Sequence, residues 1–95
     1  MNFVANKVQA FEGKLFVVEL GVRKTAKYWG LSFNVAGEPI ETIVGNGGEV
    51  YLENIAAGRY GAKVFMGEKE CNFELTIPDS EEMLVDIGEM TCEMD

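Results

Sequence analysis

Ninety-five residues make one domain, able to bury roughly 60–65% of the surface its unfolded chain would expose. An apolar share of 47% is too high for a disordered chain, and no stretch approaches the roughly 20 apolar residues of a membrane-spanning helix. Sixteen acidic against eight basic residues give a net charge of −8, which disfavours nucleic acid and anionic membranes and suits a soluble surface or a basic protein partner.

The segment Met1–Ala10 carries Asn2, Asn6, Lys7 and Gln9 without an apolar run, so it does not read as a signal peptide. Phe3, Val4, Val8 and Phe11 fit either a poor strand or a tail. Leu15–Leu20, rich in Val and Phe, reads as a buried strand, and Lys24–Lys27 has room for one helical turn at most. From Trp29 the signal is period two. Trp29, Leu31, Phe33 and Val35 share one face, with Gly30, Ser32 and Asn34 on the other, as expected of a strand packed on one side. Gly37-Glu38-Pro39 breaks the run, and Ile40–Val44 is a second short strand. Gly45-Asn46-Gly47-Gly48 is read as a tight hairpin turn, because Asn-Gly tolerates the positive φ such turns demand. Val50 and Leu52 resume the alternation, Ala56-Ala57-Gly58 turns, and Tyr60, Ala62, Val64 and Met66 form the next inward row. After Gly67-Glu68, Cys71, Phe73, Leu75 and Ile77 alternate cleanly with Glu70, Asn72, Glu74 and Thr76. A polar loop, Pro78–Glu82, leads to a last strand carrying Met83, Val85 and Ile87. There Gly88 shifts the phase so that Met90 and Cys92 continue it, which predicts a bulge. Six to seven short strands with turn signals make an all-β chain, a small antiparallel β-sandwich or barrel, with short links after residue 28 that favour hairpin neighbours.

The chemistry-bearing residues are few. With no histidine the chain has no Ser-His-Asp or Cys-His arrangement and no usual proton shuttle. Gly45, Gly47 and Gly48 are followed by no Lys-Ser/Thr and no helix, so they form a turn and not a phosphate loop. Asp79–Glu82 lacks calcium-loop spacing and reads as a solvated loop. Cys71 and Cys92 have no zinc-site spacing; they are free buried thiols if the protein is cytosolic and a pair if it is exported. No catalytic residue, metal ligand or cofactor site is expected, and the chain reads as a protein-binding module and not an enzyme. Tyr28, Trp29, Phe33, Tyr51, Tyr60, Phe65 and Phe73 are core or strand-face aromatics, of which Tyr28 and Phe65 fall out of phase with their inward neighbours. Tyr28, Phe65 and Arg59 are the candidate partner contacts.

The stretch Trp29–Ile40 followed by Ile43-Val44-Gly45-Asn46-Gly47-Gly48-Glu49-Val50-Tyr51-Leu52 resembles the C-terminal domain of fimbrial outer-membrane ushers, whose pattern is an aromatic-Gly strand opening, a Gly hairpin and Val-Gly-x-x-Gly-x-Val-Tyr-Leu. Cys71–Pro78 looks like that family's Cys-x-apolar-x-apolar-x-apolar-Pro strand, and Ile87-Gly88-Glu89-Met90-Thr91-Cys92 like its terminal segment, in the form of archaic-type pili. The resemblance covers residues 28 to 92. It departs from the pattern at Lys27-Tyr28, where the family usually has a proline.

The resemblance implies an immunoglobulin-like or transthyretin-like sandwich over 28–95, with residues 1–27 as N-terminal strands or the connection from a preceding subdomain. It implies a location at the periplasmic face of the cell outer membrane, as part of a larger chain in the chaperone–usher pathway of fimbrium biogenesis and protein transport. The partners implied are periplasmic chaperone–pilin subunit complexes and other usher domains, held during pilus assembly without cofactor or nucleotide. In that oxidising compartment Cys71 and Cys92 would form a disulfide joining the last two strands. The alternative is a carboxypeptidase-regulatory or prealbumin-like spacer or adhesive module of a surface protein. Leu52-Glu53-Asn54-Ile55-Ala56-Ala57-Gly58-Arg59-Tyr60 matches that family's hairpin.

Overall fold

The computed structural model describes residues 9–94. They form eight strands and no helix: β1 (Ala10–Glu19), β2 (Val22–Thr25), β3 (Gly30–Val35), β4 (Glu38–Ile43), β5 (Glu49–Glu53), β6 (Gly58–Met66), β7 (Lys69–Ile77) and β8 (Leu84–Met94). The first sheet is built on β1. On one side β8 runs parallel to it over its whole length; on the other, β5 pairs with residues 10–14 and β2 with residues 16–19, both antiparallel. The second sheet is antiparallel in the order β4-β3-β6-β7. The chain is an all-β sandwich, as its period-two pattern predicts.

Alternation places the core. Trp29, Leu31 and Phe33 of the β3 region, Val50 and Leu52 of β5, Ala62 and Val64 of β6, and Cys71, Leu75 and Ile77 of β7 are buried, and Glu70, Asn72, Glu74 and Thr76 face water. Such one-sided strands gain about 1.5–3 kcal/mol for each large apolar side chain removed from water. Phe11, Leu15, Val17 and Ala26 complete the same core, so residues 10–27 and 28–94 share one sandwich.

Several expectations are corrected. There are eight strands and not six or seven: β2 takes in Lys24 and Thr25, where at most a helical turn was expected, and β1 begins at Ala10. Phe11 is therefore a core strand residue, whereas Phe3, Val4 and Val8 lie outside the described residues. Leu15–Leu20 is not uniformly buried. Leu15 and Val17 point inward, Phe16 and Val18 form a half-buried outer row, and Leu20 at the β1–β2 turn is 93% exposed. The last strand starts after Met83, which is exposed. The turn at Gly45–Gly48 is real, closed by Gly48 N–H donating to the Gly45 carbonyl at 3.0 Å, but it is not a hairpin turn. It carries the chain from β4 in one sheet to β5 in the other, because β5 pairs with β1. For the same reason β8, though the last strand, does not pair with β7; it returns beside β1 in parallel.

The bulge foreseen at Gly88 is present. Glu12 pairs with Asp86 and Gly13 with Gly88, leaving Ile87 as the extra residue. Gly88 has φ 80°, a conformation side chains rarely adopt, and its N–H donates to Asp86 Oδ1 at 2.7 Å. Glu19 of β1 accepts from Lys24 of β2 in its own sheet and from Lys69 of β7 across the sandwich, both at 2.9 Å, and these hydrogen bonds, Lys69 first, hold its carboxyl below the usual carboxylate range.

Candidate functional site

Cys71 of β7 and Cys92 of β8 form a disulfide with Cα atoms 6.2 Å apart. Because β7 is an edge of one sheet and β8 an edge of the other, the bridge clasps two sheets that share no ladder at this side. The two cysteines face each other because each lies on the inward phase of its strand. The Gly88 bulge is what puts Cys92 on that phase, together with Val85.

The three candidate contact residues do not form one site. Tyr28 is 58% exposed, with φ 63°, a left-handed backbone that non-glycine residues seldom adopt. Its N–H donates to the Val44 carbonyl at 3.1 Å. Phe65 is half-buried, its ring lying over the bare Cα of Gly30, with which it is paired across β3 and β6. Tyr28 and Phe65 therefore lie at the same end of the sandwich. Arg59 is exposed on the same outer face as Phe65 but six residues away along β6, roughly 20 Å at the rise of a strand.

That end also carries other exposed apolar side chains: Leu20, Val22, Ile43 and Met66. Leu20 (φ 52°) and Gly21 (φ 77°) make a two-residue β1–β2 turn of the type that usually takes Asn-Gly, so a leucine here is both strained and bare to solvent.

A groove of about 560 Å³ crosses the outer face of the first sheet, lined by residues of β5, β1 and β8. Two cross-strand rows build it. Tyr51, Glu12 and Asp86 are in register in the first, and Glu49, Lys14 and Glu89 in the second. Tyr51 is 53% exposed. Its outward direction follows from the burial of Val50 and Leu52 on either side, and this was the available signal for an aromatic otherwise grouped with the core or strand faces. Glu89, in the second row, is paired with Arg23, whose guanidinium lies 3.8 Å from the Phe16 ring centroid and 2.9 Å from Glu89 Oε1. Among the described residues Glu12 and Lys14 take part in no ion pair, and no cluster of carboxylates or cysteines has the geometry to hold a metal ion.

No protein-family model matches the chain, and no curated protein is significantly similar to it. Among solved structures it is similar to the crystal structure of a "putative carbohydrate binding protein" from Pseudomonas aeruginosa. The TM-score is 0.58 at 9% identity, over 96% of this chain and 92% of the other. At that identity the likeness is one of fold alone.

Proposed function

We propose that this sandwich is a non-catalytic protein-binding module, the periplasmic C-terminal domain of an outer-membrane usher that holds chaperone–pilin subunit complexes during pilus assembly. The observation that carries the reading is the Cys71–Cys92 clasp between the last two strands, formed by the two cysteines of the usher-like segments. The rest of the usher-like pattern fits specific tasks. Trp29 opens β3 from the core, and Val44–Leu52 is the passage from one sheet to the other. A cross-sheet disulfide suits an oxidising compartment. Binding of a large partner by a small sandwich needs only surface, and surface apolar residues such as Leu20, Tyr28 and Ile43 are available for it.

The test is capture of purified periplasmic chaperone–pilin complex by the immobilised chain. Retention of the complex, and not of chaperone alone, is expected. No retention under conditions where full-length usher retains it sinks the reading. A second reading, a prealbumin-like surface module that binds carbohydrate, is favoured by the groove with its exposed Tyr51 and by the description of the Pseudomonas protein of similar fold. Glycan-array binding without capture of the complex would select it.

A further inference from the structure

We propose that the outer face of the first sheet docks a basic segment of a protein partner, laying an arginine or lysine side chain along the row Tyr51–Glu12–Asp86, with its charge at the two carboxylates. The inference deepens the reading of the chain as a protein-binding module by naming the surface and the chemistry of what it holds. Charge is the first ground. Glu12, Glu49, Glu53, Asp86, Glu89 and Glu93 point outward from this face, with Lys14 and Arg23 as its basic residues among those described. The outer face of the other sheet is near balance: Glu41, Glu70 and Glu74 stand with Arg59 and Lys63, and Lys63 lies 3.7 Å from Glu70.

The second ground is unrelieved repulsion. Glu12 and Asp86 are direct neighbours on β1 and β8, and no cation of the described residues pairs with either. Like charges directly opposite one another in a sheet cost stability, and a cation between them removes that cost. The third ground is a working example on the same face. Arg23 already stacks on Phe16 and reaches Glu89, so an aromatic ring flanked by a carboxylate holds a guanidinium here. Tyr51 and Glu12, in direct register across β5 and β1, repeat that pair of groups without an arginine to fill it. Asp86 spends one oxygen on Gly88 N–H and keeps the other for a ligand.

The groove's own cation makes the idea sharp. Lys14 stands in the row next to Glu12, where it would repel a basic partner and would be indifferent or helpful to a neutral sugar. The probe is fluorescein-labelled hexa-arginine, titrated with the full chain by anisotropy at low salt, with maltohexaose as competitor. Tyr51→Ala and Glu12→Gln are each expected to weaken binding about tenfold, and Lys14→Gln to tighten it about threefold, while Glu70→Gln on the other sheet leaves it unchanged. All four positions are surface sites, and thermal melting of each variant confirms the fold. Equal losses in Glu12→Gln and Glu70→Gln, no effect of Tyr51→Ala, weaker binding in Lys14→Gln, or displacement by maltohexaose would each overturn the proposal. The two readings fail separately. If wild-type chain captures chaperone–pilin complex and Tyr51→Ala captures it equally well, the groove is not the docking face and the module reading stands. If hexa-arginine binds as described but the complex is not captured, the groove assignment stands and the usher reading falls.

Discussion

At Gly13 a side chain has nowhere to go. A Cβ built there would sit 2.5 Å from the Gly88 carbonyl oxygen and 2.8 Å from Ile87 Cγ1, since the bulged turn of β8 folds directly onto the Cα of β1. One of these neighbours is backbone held in a ladder and cannot swing aside. Gly13→Ala is therefore expected to destabilise the domain by about 1–3 kcal/mol, the usual range for overpacking a tight site. Urea titration followed by tryptophan fluorescence of the buried Trp29 measures it; an unchanged midpoint would mean the two strands separate more readily than this contact implies. Gly37→Ala is a useful contrast. Nothing lies within 4 Å of a Cβ there, so its cost comes from the left-handed backbone alone (φ 85°).

The strands themselves were legible because one-sided packing writes a period of two into the sequence. Residues 29–35, 60–64 and 71–77 show it, and so does the phase shift at Gly88, whereas Met66, expected in the inward row of β6, is exposed at the strand's end. Their partners were not legible. No local pattern distinguishes β5 pairing with β4 from β5 pairing with β1, or reveals that β8 runs parallel to the first strand. β2 escaped notice because Val22-Arg23-Lys24-Thr25 lies at an edge with no fully buried position and so shows no alternation. Phe16 hid the period of β1 because, on the outer face, it is covered by Arg23 and imitates a core residue. The groove depended on the same missing information: Glu12 and Asp86, 74 positions apart in the chain by their numbers, become neighbours only through the parallel ladder. Where pairing is absent, the disulfide compensates. Joining β7 to β8 closes a loop of sequence separation 21, which on the chain-entropy model adds about 3 kcal/mol. A Cys71→Ala/Cys92→Ala chain should lose roughly that much in urea unfolding. An equal midpoint for the variant and the oxidised wild type would show that the sheets need no clasp at this side.

For the molecule as a whole, the decisive strand is the first. β1 is hydrogen-bonded to β2, β5 and β8, so without it the first sheet has no centre: β5 and β8 pair with no other strand of the described residues. Phe11, Leu15 and Val17 are each fully buried. At about 1.5–3 kcal/mol for each such side chain, their loss approaches the whole 5–15 kcal/mol by which a domain of this kind exceeds its unfolded state. The usher-like motifs lie within residues 28 to 92, yet a chain cut to begin at Tyr28 would expose the inner faces of Val50, Leu52, Val85 and Cys92 with nothing to cover them. A fragment of residues 28–95 is accordingly expected to give a disordered amide NMR spectrum and no cooperative melt, whereas the full chain gives a dispersed spectrum and a single transition. If the shorter fragment folds with native dispersion, the second sheet is self-sufficient and β1 is an added strand. The stability of the sandwich, and the groove that β1 floors, would then have to be assigned to different parts of the chain.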